Sequence, residues 1–300
     1  MTPPPDIAWT EREQLALETL LALAKAEDVG PGDLTSAALV PEHSTGRAHV
    51  VCRQPGVVAG LPTLPAILAA FSDDLAAELH AADGQAVAHG TRLATIVGPA
   101  QAMLTAERTL LNFLTRLSGV ASLTNQFVRA VAGTAAGIYD TRKTLPGYRL
   151  LDKYAVRAGG GFNQRQGLFD GVIIKDNHLA FGRNTPGAQA FSLSQAVARA
   201  RQFCNAGVTI QIEVDTLEQL REVLPAGPDM VLLDNMPPAE LARAVAIRNE
   251  LAPGVVLEAS GGVNLQTVKA IAASGVERIS IGALTHSAPA LDLALDWEDA

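Results

Sequence analysis

The feature that most constrains the fold is a regular alternation of short apolar runs with helical patterns, which begins at Gly137 and continues almost to the end of the chain. Runs that are apolar at successive positions, as in 231–233 and 255–257, are typical of strands buried on both faces. Helices between such strands predict a parallel sheet. Because only six runs occur, the α/β fold predicted is an incomplete (open) parallel β/α barrel. The predicted strands are 137–140, 171–174, 208–214, 229–233, 255–259 and 278–281.

The chain before this alternation has a different pattern, which predicts an α+β layer. Strands are predicted at 46–53 and 91–97, and a helix at 64–71. Thr10, followed three residues later by Glu13, has the pattern of a capping box that starts the first helix.

The domain boundary is predicted close to residue 115. A helical pattern covers 103–132 and is predicted to break at Ser118-Gly119, since glycine weakens a helix interior. The predicted domains are an N-terminal α+β domain over 1–115, a barrel over 116–286, and a C-terminal helix over 287–300 that returns to the first domain.

Composition excludes several classes of function. The net charge of −8 at pH 7 argues against a surface for nucleic acid. No apolar run approaches the ~20 residues that a membrane-spanning helix needs, and the N-terminus shows no secretory signal. Cys52 and Cys204 match no metal-binding spacing. We therefore expect a cytoplasmic protein that binds neither nucleic acid nor membranes.

Cations are concentrated where the first two predicted barrel strands end. Arg142 and Lys143 follow the first strand, Lys175 follows the second, and Arg165 lies in the loop between them. Three of the five lysines of the chain fall in residues 137–178, although the protein is acidic. A single cation at a strand end is usually a solvated loop charge, but parallel strands bring these ends to the same edge. The cluster therefore indicates a site for an anionic ligand.

The later predicted strands end in carboxylates and glycines. Glu213 lies within an apolar strand and Asp234 closes the next one, so each needs a cation, a metal or hydroxyl groups as a partner. They either form structural salt bridges with Lys143 or Lys175, or bind Mg²⁺ or ribose hydroxyls. Glycine at the last strand ends lets backbone N–H groups approach a phosphate closely. The residues at these ends are Ser260, Gly261, Gly262, Ser280 and Gly282.

These motifs resemble those of the quinolinate phosphoribosyltransferase family, whose members are also called nicotinate-nucleotide pyrophosphorylases (carboxylating). The resemblance extends from about Asp28 to the C-terminus. Its main motifs are Thr141-Arg142-Lys143-Thr144-x-Pro146-Gly147, Gly159-Gly160-Gly161, Lys175-Asp176-Asn177-His178, Glu258-Ala259-Ser260-Gly261-Gly262 and Ile281-Gly282-Ala283-Leu284-Thr285-His286. It implies a sandwich joined to an open barrel, and an enzyme that is at least a homodimer. It also implies the reaction of quinolinate with 5-phosphoribosyl-1-pyrophosphate and Mg²⁺, which gives nicotinate mononucleotide, pyrophosphate and CO₂ in de novo NAD synthesis.

The resemblance implies roles for individual residues. Arg108, Arg142 and Arg165 would bind quinolinate, since guanidinium groups suit planar carboxylates. Arg108 would act in the site of the neighbouring subunit. The catalytic set would be Lys143, Lys175, Glu213 and Asp234, with the two carboxylates also at Mg²⁺. The phosphoribosyl pyrophosphate would contact Lys143, Glu213, Asp234, Ser260, Gly261 and Gly282, and further substrate-binding candidates are Thr141, Gln164, Gly262 and Ser280.

One position departs from the family pattern. The family usually has Asn-His-Arg where this chain has Asn163-Gln164-Arg165, and the histidine helps to bind a quinolinate carboxylate. Glutamine donates a hydrogen bond but has no positive charge, so either the affinity for quinolinate is lower or the substrate is a related acid. The alternatives are a phosphoribosyltransferase of the same fold with another substrate, such as the molybdenum-operon paralogue, and a non-catalytic barrel that binds a phosphorylated ligand. The presence of Lys143, Glu213 and Asp234 together argues against a purely binding role, because binding alone would not need carboxylates of the kind that hold Mg²⁺.

Overall fold

The computed structural model describes residues 5–184 and 190–298, apart from the side chains of 182–184. The capping box at Thr10 and Glu13 starts the first helix as predicted. The elements before residue 131 are α1 (Glu11–Val29), α2 (Leu34–Leu39), β1 (Thr45–Cys52), β2 (Gly56–Val57), α3 (Leu64–Phe71), β3 (Ala76–Leu79), β4 (Ala86–Val87), β5 (Arg92–Pro99) and α4 (Ala100–Ala130).

From Gly137 onwards strands and helices alternate, as the apolar runs predict. No helix among the described residues has both the length and the apolar character that crossing a membrane requires. The elements are β6 (Gly137–Tyr139), α5 (Arg149–Ala158), β7 (Val172–Ile174), α6 (Asp176–Asn184), α7 (Leu193–Phe203), β8 (Ile210–Val214), α8 (Leu217–Val223), β9 (Met230–Asp234), α9 (Pro238–Leu251), β10 (Val256–Ser260), α10 (Val268–Ala273), β11 (Arg278–Ser280), α11 (Ala283–His286) and β12 (Leu293–Trp297).

Six strands form one parallel sheet in the order β6-β11-β10-β9-β8-β7. Every neighbouring pair in this sheet is parallel, which confirms the predicted β/α architecture. A bridge between Tyr139 and Phe162 adds a short parallel segment beside β6. Because all strands run in the same direction, their carboxyl ends lie at one edge of the sheet.

Four other strands form an antiparallel sheet in the order β12-β1-β5-β3. The helix predicted over 287–300 is wrong for its described part, because Leu293–Trp297 is strand β12 and pairs with β1. Leu293 and Leu295 are buried while the residue between them is less so, and this period of two is that of a strand. The run is so short that its periodicity was ambiguous in the sequence.

Helix α4 is continuous, so the break predicted at Ser118-Gly119 is wrong. Both residues serve close packing instead. Ser118 Oγ accepts a hydrogen bond from the backbone N–H of Ala59 at 3.1 Å. A Cβ on Gly119 would lie 2.2 Å from the carbonyl oxygen of Pro289, so only glycine allows this approach.

The chain divides into two compact units, and the predicted division at residues 115 and 116 falls inside α4. The difference arises partly because α5 packs against the N-terminal region, with the rings of Trp9 and Tyr154 4.9 Å apart. The barrel unit comprises Gln126–Arg142 and Phe162–Gly282, and the sandwich unit comprises the described residues up to Asn125, Lys143–Gly161 and those from Ala283 onwards.

Candidate active site

The carboxyl ends of the parallel strands bring together predicted site residues at one edge of the barrel unit. Lys175 directly follows β7, Glu213 is the penultimate residue of β8, and Asp234 ends β9. Ser260 ends β10 and lies opposite Asp234 in the strand register. One cation, two carboxylates and a hydroxyl therefore follow one another across four adjacent strands.

Lys175 and Glu213 form an ion pair in which the ammonium donates to Glu213 Oε2. The Glu213 side chain is 11% exposed and that of Lys175 is 45% exposed. A nearly buried carboxylate needs such a partner, so the salt-bridge alternative raised by the sequence describes this contact. The backbone N–H of Lys175 also donates to His178 Nδ1 at 2.9 Å, which gives His178 a structural role.

The turns after β9 and β10 approach one another closely. Asn235 has a positive φ of 54°, and its backbone N–H donates to the carbonyl oxygen of Ser260 at 2.9 Å. Gly261 has a φ of 91°, and a Cβ there would lie 2.2 Å from Asn235 Oδ1. Only glycine tolerates both the backbone conformation and this contact. Asn235 Nδ2 donates to Asp234 Oδ2 at 2.6 Å and so orients the carboxylate beside the glycine turn.

Two guanidinium groups of the barrel unit influence one another electrostatically. Burial lowers the pKa of Arg165, the charge of Arg142 lowers it further, and Asp170 raises it in part. Arg165 Nη1 donates to the carbonyl oxygen of Gly171 at 2.7 Å, but the Nε atoms of both arginines are buried without a hydrogen-bond partner. Unused buried donors and like charges are both unfavourable. A ligand with two carboxylates would relieve both conditions.

Gln164 is held from two sides. Its backbone N–H donates to Asp140 Oδ1 at 2.9 Å, and its Nε2 donates to Glu258 Oε1 at 2.7 Å. Asn163 Nδ2 donates to the other oxygen of Asp140 at 2.6 Å. Asp140 is fully buried and connects the end of β6 to the segment that carries Gln164 and Arg165. No motif or spacing in the sequence marks Asp140 as a positioning residue.

A cavity of about 140 Å³ lies within the barrel unit, and Gln164, Arg165, Gln211 and Arg278 are among the residues that line it. Gln211 is 1% exposed, and its Nε2 has no hydrogen-bond partner. The sequence contains a signal for these deeper polar residues. Residues two positions apart on a strand face the same side. Each deeper residue lies two positions before a predicted site residue, and therefore further from the carboxyl end of the strand. These pairs are Gln211 and Glu213, Glu258 and Ser260, and Arg278 and Ser280.

Three further predicted residues belong to the barrel unit at β6 and β11. Thr141 is half-buried and comes two residues after β6. Ser280 ends β11, is 3% exposed, and its Oγ has no hydrogen-bond partner. Gly282 follows two residues later and closes the barrel unit. Gly262, in the turn after β10, has a positive φ of 60°, which favours glycine.

Arg108 and Lys143 belong to the sandwich unit. Arg108 is exposed on α4. Lys143 is also exposed, and its carbonyl oxygen accepts a hydrogen bond from Thr285 Oγ1 at 2.8 Å. Their predicted roles at the substrate, including that of Arg108 in a neighbouring subunit, stay predictions.

The carboxylates of the site suit a metal ion that is coordinated mainly by the bound substrate. Among residues 5–184 and 190–298, no group of three or more His, Cys, Asp or Glu side chains is arranged for a metal. Glu213 and Asp234 lie on adjacent strands near the same edge. Mg²⁺ commonly uses one or two carboxylates together with substrate phosphates, so these two residues fit that mode of binding.

Comparison with known protein families accounts for almost the whole chain. The model of the N-terminal domain of quinolinate phosphoribosyl transferase matches residues 33–118. The model of the C-terminal domain of the same family matches residues 120–296. The two family models meet between residues 118 and 120, within α4 and close to the boundary predicted at residue 115. The compact units of the structure follow a different division, which changes unit after Asn125.

Similar proteins cover the chain at substantial identity. The probable nicotinate-nucleotide pyrophosphorylase [carboxylating] of Bacillus subtilis (strain 168) is 41% identical over 94% of this chain and 93% of its own length. The corresponding protein of Mycobacterium leprae (strain TN) is 42% identical over 90% and 93%. The structure of the nicotinate-nucleotide pyrophosphorylase from Francisella tularensis aligns with a TM-score of 0.88 at 32% identity, over 99% of this chain and 100% of that one. The chain therefore belongs to the quinolinate phosphoribosyltransferase family.

Proposed function

We propose that the chain transfers a phosphoribosyl group from 5-phosphoribosyl-1-pyrophosphate to quinolinate and releases pyrophosphate and CO₂, giving nicotinate mononucleotide for NAD synthesis. The observation that carries the proposal is the pair Arg142 and Arg165, two partly buried guanidiniums whose Nε atoms have no partner. Quinolinate supplies two carboxylates, which such groups bind bidentately. The reaction is that of the family to which the chain belongs.

The residues at the strand ends have complementary roles in this reaction. The quinolinate nitrogen forms a bond to ribose C1 while the bond from C1 to pyrophosphate breaks, so positive charge develops on the ribose. Glu213 and Asp234 stabilise that charge electrostatically, and Lys143 and Lys175 stabilise the negative charge of the departing pyrophosphate. Loss of CO₂ from the ring then leaves an electron pair that takes up a proton and yields nicotinate mononucleotide.

The phosphate groups of the substrate bind at the glycine turn after β10. Gly261 permits the close approach of backbone to Asn235, and a glycine turn presents backbone N–H groups to anions. Glu213 and Asp234 would hold Mg²⁺ together with the pyrophosphate, where the ion neutralises phosphate charge. We expect chelation of Mg²⁺ to abolish turnover, and we expect the enzyme to act in the cytoplasm.

The direct test measures pyrophosphate release in the presence and absence of quinolinate, with nicotinate as an alternative acceptor. Release that depends on quinolinate and yields nicotinate mononucleotide supports the proposal. Release that requires a different acid would favour the alternative of a phosphoribosyltransferase with another substrate, which the neutral Gln164 suggests. Binding of the sugar phosphate without any release would favour the non-catalytic alternative.

We further propose that the enzyme is a homodimer in which Arg108 contributes to the site of the partner subunit. Arg108 lies exposed on a helix outside the barrel unit, and a two-fold interface would let each subunit lend and receive this residue. Arg108→Ala and Lys143→Ala dimers should each be nearly inactive. In mixed dimers one site carries both defects and the other carries none, so random pairing should restore about a quarter of wild-type activity. No recovery, with mixed dimers shown to form, would place Arg108 in its own subunit's site.

A further inference from the structure

Two residues that line the cavity of the barrel unit, Gln164 and Arg278, contact a carboxylate that the proposed reaction does not use. Glu258 lies in the middle of β10 and is fully buried. Its Oε1 accepts the hydrogen bond from Gln164 Nε2 at 2.7 Å. A buried carboxylate without a compensating cation is costly, and its charge would be weakly screened for any ligand nearby. A dianionic substrate beside it would be repelled.

Arg278 is the cation that faces this carboxylate. Its Nε lies 3.1 Å from Glu258 Oε2, and because the two atoms are not aligned for a hydrogen bond, the contact is a close ion pair. The guanidinium carbon is 3.7 Å from the centre of the Tyr139 ring. That ring stacks on Phe162 with centroids 5.3 Å apart. Stacking on an aromatic face fixes the arginine in position.

Gln164, Arg165 and Arg278 line the same cavity. We propose that Arg278 determines specificity for a dicarboxylic acid, because it cancels the charge of Glu258 and leaves Arg165 and Arg142 free to act on the substrate. Arg278 is a positioning residue, since it acts through Glu258 and Gln164 and not on the reacting atoms. The inference rests on the proposed function, which takes quinolinate as the acid.

The charge balance between Arg278 and Glu258 predicts that substitutions at the two positions change the KM for quinolinate in opposite directions. Arg278→Met leaves Glu258 uncompensated, so the KM for quinolinate should rise by about tenfold or more. Glu258→Gln keeps an oxygen for Gln164 but removes the negative charge, so the KM should fall by about threefold. The double variant E258Q/R278M is neutral again and should return to within about threefold of the wild-type KM.

Steady-state kinetics with each substrate separates this role from a structural one. The KM for 5-phosphoribosyl-1-pyrophosphate and kcat should change by less than about threefold in all three variants, because only the acid is affected. Arg248→Met is the matched control. Arg248 is 8% exposed in the barrel unit and donates to Glu277 Oε1 at 2.6 Å, and it is not among the residues that line the cavity. It should lower the melting temperature without changing the KM for quinolinate.

A KM for quinolinate that rises in Glu258→Gln, or defects that add in the double variant, would overturn the inference. If Arg278→Met does not fold, the single and double variants with Gln at position 258 decide the question, because neither buries an unpaired carboxylate. Wild-type protein that does not convert quinolinate would contradict the proposed function and this inference with it. Wild-type turnover with unchanged KM values in all variants would contradict the inference alone.

Discussion

The two units of the molecule use partly buried arginines in opposite ways. In the sandwich unit, Arg116 binds the buried carboxylate of Asp152 through Nε and Nη2 at 3.1 and 3.0 Å, and it also donates to the carbonyl oxygen of Thr285. In the barrel unit, Arg165 donates to one backbone carbonyl and experiences the like charge of Arg142. The Arg116 guanidinium uses both Nε and Nη2 within its own unit, whereas Arg165 retains a buried Nε without a partner.

This difference separates a charge that stabilises the fold from a charge that serves a ligand. Asp152 is fully buried, so the bidentate contact with Arg116 compensates the cost of removing that carboxylate from water. For Arg165, the attraction of Asp170 offsets only part of the burial cost and of the repulsion by Arg142, and that repulsion opposes folding. Such strain is typical of groups that complete their interactions only when a substrate binds.

The largest expected effect is the loss of stability in Arg116→Ala. Removing one partner of a buried ion pair costs about 3–5 kcal/mol, because the other charge stays buried and unpaired. For a chain of this size we expect a fall in melting temperature on the order of 10 °C. Calorimetry measures it, and the KM for quinolinate of the folded variant should stay within about twofold of wild type. An unchanged melting temperature would remove the contrast between the two arginines.

The same variant should respond to pH through Asp152. Burial raises the pKa of Asp152, and hydrogen bonding and attraction by Arg116 lower it again in part. With the folded pKa above the ordinary value, the folded state binds its proton more tightly than the unfolded state, so this group favours folding as the pH falls. Without Arg116 the pKa should rise further. The stability deficit of Arg116→Ala should therefore be smaller at pH 5 than at pH 8.

Arg165→Ala should have the opposite effect, with activity lost and stability retained. The substitution removes a guanidinium from the proposed quinolinate site. The kcat/KM for quinolinate should therefore fall by about 10²- to 10³-fold, or roughly 3–4 kcal/mol. The melting temperature should be unchanged or slightly higher, since the repulsion with Arg142 is relieved. The matched control is Arg201→Ala in the same unit, whose ion pair with Asp229 is 45% and 43% exposed and contributes little. Equal kinetic losses in the two variants would contradict a specific role for Arg165.

The fold was largely predictable because the barrel signal is repeated. Six apolar runs alternate with helical patterns, and errors of one or two residues at their ends do not change the architecture. Features that occur only once carry a weaker signal in the sequence. Leu293–Trp297 is too short to show a decisive period, and its partner β1 lies more than two hundred residues earlier. Ser118 and Gly119 carry the same sequence signal whether a helix breaks or packs closely.

The sequence predicts only the part of the candidate site that lies at the carboxyl ends of the strands. Strand ends mark Lys175, Glu213 and Asp234, and parallel strands necessarily gather them. The residues one level deeper, such as Glu258 and Arg278, have a signal in the alternation of the strands, but their pairing depends on how neighbouring strands are aligned. The register that sets Glu258 beside Arg278 is a property of the folded sheet.

The smallest expected effect is the change that Gln164→His makes in the KM for quinolinate. An imidazole at position 164 would face the Glu258 carboxylate that now accepts from Gln164 Nε2, and a neighbouring carboxylate raises the pKa of histidine. The charged ring would add a cation beside Arg165, so the KM for quinolinate should fall by about tenfold, or ~1.4 kcal/mol. This gain should be present below the pKa of the histidine and disappear as the pH rises through it. KM values measured between about pH 6 and pH 9 should therefore converge on wild type at the alkaline end. Gln164→Asn keeps the amide without a charge, so its KM relative to wild type should not vary with pH. If Gln164→His weakens quinolinate binding at every pH and the wild-type enzyme prefers another acid, quinolinate is not the substrate of this chain.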